Sequence, residues 1–344
     1  MQYVTTRNNE ITYSWLDALN EKCAPDGGLF VPSELPAFND FQINGFAMKN
    51  PNQAIAEILN LFFGTELNRW DIDFHAGRYP VRLSGIVRRV TIAEMWHNCD
   101  WEFSRTVREL AALVRGSRDT ALLVGTWFQV ALRIGVLFGV FGELMRDGIA
   151  GSGNSVDICV PSGDGTALCA AWYAKRMGLP IGQIIICCNE NNNLWSLIRQ
   201  GELRLGLSPK ETSTPDCDRL YPDALELLIH GCGGIPEAIS FAACVQEGKT
   251  WRVSELTWDA LRRDITVSVI WQQRVESTIP NIYKNSGYVF GPYSALCYAG
   301  LMDYRSQTGS SAHALILSER GALRDDRLVA REMNMAVSTL HNLL

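Results

Sequence analysis

The sequence of 344 residues lacks several features that would assign a function at once. No run of basic residues is longer than two, as at Arg88-Arg89 and Arg262-Arg263, and the net charge is −6. A nucleic-acid-binding protein needs a concentrated positive surface, so nucleic acid is not an expected partner. The N-terminus also has no apolar segment of the secretory type, and we therefore predict a cytoplasmic protein.

Ten cysteines are present, but no two of them form a CxxC pair. Cys187 and Cys188 lie inside the apolar run QIIICCN, where a free cysteine behaves as a small hydrophobic residue. His97, His230 and His313 are isolated from one another and lack the spacing of metal ligands. These patterns predict reduced, buried thiols and no metal site.

One stretch, Ala121 to Gly142, is apolar enough to suggest a membrane span. It carries Gln129 and Arg133 near its middle, and an arginine at the centre of a bilayer costs about 2.5–3.5 kcal/mol. A buried strand leading into a buried helix explains the composition better, so no membrane is an expected partner.

The chain is long enough for about two domains. Residues 1–85 contain short amphipathic segments such as 52–63, end near a break at 76–80, and are interpreted as an N-terminal module. From residue 86 onward strands and helices alternate, which indicates an α/β fold with a largely parallel sheet. Predicted strands cover 121–126, 156–161, 183–188 and 314–318. Predicted helices cover 104–114, 129–145, 166–177 and 222–229, with a flexible linker at 151–155 and a closing helix within 325–344.

The segment at 156–166 carries the clearest sign of a binding site. An apolar strand ends in Ser162, Gly163, Asp164, Gly165 and Thr166, and a helix then begins. Small residues let the backbone approach a ligand, and the N-terminus of a helix favours an anion. A tight turn without any ligand would look the same, and the sequence is neither a Walker loop nor GxGxxG.

Four ordered segments resemble those of the threonine synthases. PSGDGTALCAAWYAKRMGLPI, followed by NENN at 189–192, is similar to the family's PSGNFGN…AKKMGLPI…TNEN. TTRN and APDGGLFVP near the N-terminus are similar to STRG and LAPDGGLYVP. TPDCD at 214–218 resembles TPSMDI, and NSGYVFGPYSALCYAG at 285–300 resembles the family's GY…DPHTA segment.

The resemblance implies a threonine-synthase-like fold of the tryptophan synthase β-like, fold-type II class, with a small N-terminal α/β module. It also implies pyridoxal phosphate held between two α/β layers by a lysine as a Schiff base. The family's reaction is that of a lyase in amino-acid biosynthesis, in which O-phosphohomoserine gives threonine and phosphate.

The chain departs from this family at the residues that carry the chemistry. In the best match to the family's lysine motif, His97 and Phe103 keep register and Ser104 occupies the lysine position. A serine cannot form an imine, because Schiff-base catalysis needs an amine. The chain has six lysines (Lys22, Lys49, Lys175, Lys210, Lys249 and Lys284), and none is predicted to face the pocket.

Other departures affect the walls of the expected site. A subdomain is predicted to be lost near 126–131, because a helix resembling one far downstream in the family follows the first strand directly. Gly291 and Tyr293 replace the acid and the histidine of DPHTA, and Gly165-Thr166 stands where Phe-Gly is expected. Ser318 is the candidate for contact with the pyridine nitrogen.

We therefore predict a non-catalytic homologue, without a cofactor, that binds a small anionic metabolite at 162–166. The alternative is an active threonine synthase or related lyase that uses pyridoxal phosphate. A third hypothesis is a homo-oligomer or a partner-binding subunit, with Trp127-Phe128 and Leu137-Phe138 exposed where the cleft wall is missing.

Overall fold

The computed structural model describes residues 1–77, 81–97, 100–151 and 153–344. Its N-terminal part combines an antiparallel ribbon with four helices. The ribbon pairs β1 (Tyr3–Thr5) with β2 (Phe30–Pro32). The helices are α1 (Trp15–Asn20), α2 (Asp40–Gly45), α3 (Pro51–Phe63) and α4 (Arg69–Ala76). Ser14, Asn39 and Asn68 begin α1, α2 and α4 with capping boxes, which satisfy the first free N–H groups of these short helices.

A six-stranded sheet forms the centre of the molecule. Its strands are β3 (Arg82–Val87), β4 (Val90–Glu94), β5 (Val156–Pro161), β6 (Ile181–Cys188), β9 (Ile265–Val269) and β10 (His313–Ser318), in the order β3-β4-β10-β5-β6-β9. β3 is antiparallel to β4 and all other pairs are parallel. A second ribbon pairs β7 (Glu202–Leu203) with β8 (Trp251–Arg252).

Ten helices follow β4 in the described part of the chain. They are α5 (Ser104–Arg115), α6 (Thr126–Arg146), α7 (Thr166–Arg176), α8 (Asn193–Gln200), α9 (Leu225–Glu247), α10 (Glu255–Asp264), α11 (Gln272–Ser286), α12 (Pro292–Thr308), α13 (Asp326–Glu332) and α14 (Val337–Leu343).

The sheet separates two hydrophobic cores, because alternate residues of a strand point to opposite faces. In β10, Leu315 and Leu317 join the larger core with α3, α6 and α7, whereas Ala314 and Ile316 join the smaller core with α11 and α12. The molecule thus has helices on both faces of a mostly parallel sheet, as predicted for an α/β fold.

The N-terminal module does not have a core of its own. Its side chains, from Tyr3 to Ala76, belong to the same buried cluster as α6 and α7. Gly135 on α6 lies so close to α3 that an added Cβ would be 3.2 Å from the Ile55 Cα. The predicted boundary at residue 85 falls inside β3, a strand of the main sheet, and most of the predicted break at 76–80 lies outside the described residues.

The predicted strand at 121–126 is wrong. Residues 121–125 form an irregular segment and α6 begins at Thr126. Gly125 lies against the end of α1: its N–H donates to the Leu19 carbonyl at 2.7 Å, and a Cβ would meet the Ala18 carbonyl oxygen. This contact holds the segment away from the sheet.

The exposed surface predicted for α6 is also wrong. Trp127, Phe128, Leu137 and Phe138 are at most 1% exposed and lie in the larger core. The partner-subunit hypothesis therefore loses the observation on which it depended, because these side chains are not exposed.

Several other predicted elements are present with shifted ends. α5, α7, β5, β6 and β10 match the predicted segments to within two residues. The helix predicted at 222–229 instead runs from 225 to 247 as α9, and the single closing helix is two short helices separated near Asn334, whose φ is +52°. In the predicted linker, Gly151 pairs with Asn154 and Ser152 lies outside the described residues.

Among the described residues, two helices are long and apolar enough to cross a membrane. In α6, 83% of the apolar window is buried inside the protein, as expected for a core helix. In α9 the corresponding share is 28%, and the helix is kinked at Gly234, where the backbone is not helical.

Candidate functional site

A cavity of about 450 Å³ opens at the carboxyl ends of β5 and β10. Pro161 closes one strand, and Leu317 and Glu319 flank the end of the other; all three residues line the cavity. Ligands of open parallel sheets bind at such carboxyl ends, where the order of the strands reverses. β10, the last strand in the chain, lies between β4 and β5 and creates that reversal.

Ser104 is the first residue of α5 and lies on the cavity wall. Two backbone hydrogen bonds fix this position: Phe103 N–H donates to the Glu319 carbonyl and Gly321 N–H donates to the Trp101 carbonyl, both at 2.8 Å. The start of α5 is thus tied to the chain that follows β10. The serine predicted at the lysine position faces the cavity, as the resemblance requires.

The loop at 162–166 is closed by its own carboxylate. Asp164 Oδ1 accepts hydrogen bonds from Thr166 N–H at 2.9 Å and from Thr166 Oγ at 2.7 Å, at the first residue of α7. The carboxylate therefore occupies the place where the helix N-terminus would favour an external anion. Gly165 has φ +84°, and an added Cβ would be 2.6 Å from the Pro222 side chain. This position requires glycine.

Only part of the predicted anion loop reaches the cavity. Gly163, Asp164 and Gly165 line it, whereas Ser162 and Thr166 are buried behind them. Within the described residues, the Ser162 hydroxyl has no hydrogen bond to an oxygen or nitrogen atom. It lies near the thiols of Cys188 and Cys217. Burial raises the pKa of Cys217 to about 11, and the contact with Ser162 lowers it slightly.

Two of the segments that carry the family resemblance meet beside this loop. Asn189 Nδ2 donates to Thr214 Oγ at 3.0 Å and to Asp218 Oδ1 at 2.6 Å, and Asn191 Nδ2 donates to the same carboxylate oxygen at 3.0 Å. Asn189 and Thr214 are each 1% exposed. The segments 189–192 and 214–218 form a buried polar network that supports the loop, because buried polar groups must be paired with one another.

An ion pair forms part of the cavity wall. Arg133, 6% exposed, donates through Nε and Nη2 to the two carboxylate oxygens of Glu319, at 2.6 and 2.5 Å. Burial, the largest influence, acts against the charged guanidinium, but the pair with Glu319 raises the pKa of Arg133 above its usual value. A bidentate pair of this kind is rigid as well as strong.

The charged side chains around the cavity are nearly balanced in number. The cationic residues are Lys22, Arg108, Arg133, Arg219 and Arg320, and the anionic residues are Glu102, Asp164, Asp216 and Glu319. Arg133, Arg219 and Arg320 are held by carboxylates. Lys22 and Arg108 form no ion pair within the described residues, so an anion entering the cavity meets two uncompensated positive charges.

Lys22 corrects the expectation that no lysine faces the pocket. It is exposed at the cavity edge, where its carbonyl accepts a hydrogen bond from Thr126 Oγ at 3.3 Å. Its neighbour Cys23 is also exposed. No local pattern indicates this placement, because Lys22 is brought to the cavity by the contact between α1 and α6. Arg108, by contrast, could have been found one helical turn after Ser104.

Ser318 does not reach the cavity. Its Oγ accepts from Trp96 Nε1 at 3.1 Å, lies 3.0 Å from Ser294 Oγ and donates to the Arg320 carbonyl at 3.3 Å. The side chain is 4% exposed and is absent from the cavity lining. The hydroxyl predicted to contact the pyridine nitrogen is thus fully engaged in a buried network.

Comparison with known proteins gives a consistent result. Residues 2–75 match the family model "Threonine synthase N terminus". Threonine synthase-like 1 of Macaca fascicularis is 26% identical over 157 residues, which cover 45% of this chain and 21% of that protein. The chain therefore matches about one fifth of the length of this relative. Human threonine synthase-like 2 is 21% identical, covering 86% of this chain and 82% of that protein.

The solved structures confirm the predicted fold. The pyridoxal-phosphate-bound threonine synthase from Brucella melitensis superposes with a TM-score of 0.83 at 19% identity, covering 96% of this chain and 91% of that chain. The alignment with human threonine synthase-like 2 runs over 396 positions, although this chain has 344 residues in all. The alignment therefore includes positions of that relative that have no counterpart here.

Proposed function

We propose that this chain, which matches the threonine synthase N-terminal model over residues 2–75 and has a threonine-synthase-like fold, is a non-catalytic homologue that binds a small anionic metabolite in the cavity at the carboxyl ends of β5 and β10. One observation carries the proposal: Ser104, which has a hydroxyl and no amine, lines that cavity at the start of α5. A hydroxyl cannot hold an aldehyde cofactor as an imine.

The surrounding residues do not fit pyridoxal phosphate either. Asp164 places a carboxylate at the N-terminus of α7, where the cofactor's phosphate would need free N–H groups. Ser318, the candidate partner of the pyridine nitrogen, is bonded to Trp96 and Arg320 and lies away from the cavity. The loss of a subdomain near 126–131 is part of this proposal.

The cavity nevertheless suits a small organic anion. Lys22 and Arg108 offer positive charge without a carboxylate partner, and Leu122, Leu123 and Phe103 provide apolar surface. A charged head group bound by cations and an apolar body packed on leucines is the usual composition of a small-molecule site.

The direct test is absorbance spectroscopy of the purified protein titrated with pyridoxal phosphate. We expect no stable imine band in the visible range. Borohydride reduction followed by peptide mass spectrometry then locates any adduct. An imine at one defined lysine in the unmodified protein would refute the proposal.

Two variants make this test specific. Ser104→Lys places an amine on the cavity wall and Lys22→Ala removes the amine at its edge. We expect an imine in Ser104→Lys that survives in the double variant. If neither Ser104→Lys nor the double variant forms an imine, the Asp164 carboxylate prevents the cofactor's phosphate from binding. The variant Ser104→Lys/Asp164→Asn should then form the imine.

Lys22 also supports a second candidate function, an active pyridoxal-phosphate-dependent lyase. It is the one lysine that lines the cavity within the described residues. Release of inorganic phosphate from O-phosphohomoserine is the assay, with Lys22→Ala as the matched variant. Turnover that disappears in that variant would establish this alternative, whereas its absence in folded protein would remove it. Cytoplasmic location and homo-oligomer formation remain predictions.

A further inference from the structure

A second pocket, of about 320 Å³, lies at the amino ends of β4 and β10, whereas the cavity lies at the carboxyl ends of the strands. Arg88 and Arg89 precede β4, Ser310 and Ser311 precede β10, and Arg305 lies in the last turn of α12. These five residues line the pocket. It is formed at the amino ends of the strands, so it is separate from the cavity at their carboxyl ends.

Two of the three arginines are held in place by backbone carbonyls. Arg305 Nη2 donates to the Arg89 carbonyl at 3.0 Å and to the Ala312 carbonyl at 2.8 Å, and Arg89 Nη1 donates to the Ser311 carbonyl at 2.7 Å. None of the three arginines forms an ion pair with a described residue. The guanidinium groups of Arg89 and Arg305 are thus oriented, and all three positive charges stay without an ion-pair partner.

The positive charges also affect the pKa of a neighbouring histidine. Burial and then the charges of Arg305 and Arg89 lower the pKa of His313, which lies 2.9 Å from Thr91 Oγ. The carboxylate of Asp157 lies 3.5 Å from Ser310 Oγ, outside the pocket lining; it is 5% exposed and accepts the Gln183 N–H at 2.8 Å. Burial, the largest influence, raises the pKa of Asp157, and the positive charge of Arg305 acts in the opposite direction. No acidic residue is among the described residues that line the pocket.

We propose that this pocket binds the phosphoryl group of a small phosphorylated molecule. Three guanidinium groups line one pocket that has no carboxylate among its described lining residues, so they repel one another and attract an anion. Guanidinium groups match phosphate oxygens in pairs, and the hydroxyls of Ser310 and Ser311 add donors. The inference does not depend on the activity or inactivity of the cavity at 104 and 164.

Isothermal titration calorimetry with inorganic phosphate and with pyrophosphate, at constant ionic strength, tests the proposal. We expect the double variant Arg88→Gln/Arg89→Gln to bind at least tenfold more weakly than the unmodified protein. The variant Arg199→Gln, which removes an exposed positive charge that lines neither pocket, is the control and should bind both probes as the unmodified protein does.

Several outcomes would overturn the proposal. One is the absence of phosphate and pyrophosphate binding in the unmodified protein. The other is binding that is lost when Arg108→Gln alters the first cavity but is kept in the double variant Arg88→Gln/Arg89→Gln. The single variant Arg88→Gln guards against misfolding, because the Arg88 side chain contacts no partner in the described structure, and it should weaken binding on its own. Sedimentation with vesicles that contain phosphatidylserine forms a second arm. Binding to vesicles without binding to either soluble probe would contradict a small-molecule ligand.

Discussion

At the residue scale, the proposal depends on two cavity residues, Ser104 and Asp164. Ser104 offers a hydroxyl where the family resemblance predicts an amine, and Asp164 places a carboxylate of the protein at the N-terminus of α7. The carboxylate should have a measurable effect, because a fixed negative charge on the wall repels any anion that Lys22 and Arg108 attract.

Asp164→Asn should therefore strengthen anion binding in the cavity. Asparagine keeps the acceptor for Thr166 N–H but loses the charge. Two unit charges about 4 Å apart interact by about 1 kcal/mol in water, so we expect an affinity for O-phosphohomoserine about fivefold higher by calorimetry. Asp259→Asn, on α10 and outside the cavity lining, is the control and should leave the affinity unchanged. Equal affinities in the two variants would mean that the ligand does not approach Asp164.

Glu319→Gln should destabilise the fold. The Arg133 guanidinium is buried and would lose its charged partner, and breaking a buried pair in this way costs on the order of 3 kcal/mol. Urea denaturation measures the loss. Replacing both partners, Arg133→Met with Glu319→Gln, should cost less than Glu319→Gln alone, since no unpaired charge remains. A double variant that is the less stable of the two would contradict this account of the pair.

At the scale of elements, α6 is the central helix of the larger core. Gly135, Gly139 and Gly142 recur along it at spacings of three and four residues and bring its backbone against α3 and Phe46. The strongly apolar composition of α6 thus serves close helix packing, with 83% of the apolar window buried.

Gly142→Ala should lower the free energy of unfolding by about 1–3 kcal/mol, the range for overpacked cores. An added Cβ would be 2.6 Å from the Phe46 carbonyl oxygen, which belongs to the backbone and cannot rotate away. Gly85→Ala on β3 is the matched control, because nothing lies within 4 Å of its Cβ position and its stability should hardly change. Similar thermal midpoints for the two variants would show that α6 can shift away from Phe46.

The sequence predicted elements well where a local pattern and a tertiary role agree. β5, β6 and β10 are continuous apolar runs, as strands buried on both faces must be, and they lie where predicted. The segment at 121–125 has the same composition, but its contact with α1 decides its structure. For the same reason Ser104 could be placed from its motif, whereas Lys22 reaches the cavity through a contact that no local pattern records.

At the scale of the whole molecule, one core joins the N-terminal module to the α/β layers. Tyr3 OH donates to the Phe62 carbonyl at 2.9 Å, and Arg7 holds Glu226 of α9 through two bonds of 2.8 and 2.9 Å. TTRN, through Arg7, and APDGGLFVP, through the buried Phe30 and Val31, are thus packing segments. Their preservation is compatible with a changed site.

The protein should consequently unfold in one transition. Differential scanning calorimetry of the full chain is expected to give a single peak, with the calorimetric and van't Hoff enthalpies equal, because the buried cluster is shared across the end of the family match at residue 75. Two resolved peaks would show that the module folds independently.

The exposed Cys23 beside Lys22 gives this molecule a built-in attachment point. Of the nine described cysteines, six are buried, two are half-buried and Cys23 is exposed. Burial raises the pKa of thiols such as Cys169 and Cys188. A maleimide dye should therefore label position 23 first, with the three thiols at 99, 232 and 244 exchanged for serine to make the labelling unique. A fluorophore at the mouth of the cavity would then report ligand entry by a change in emission, without any assumption about the chemistry that follows.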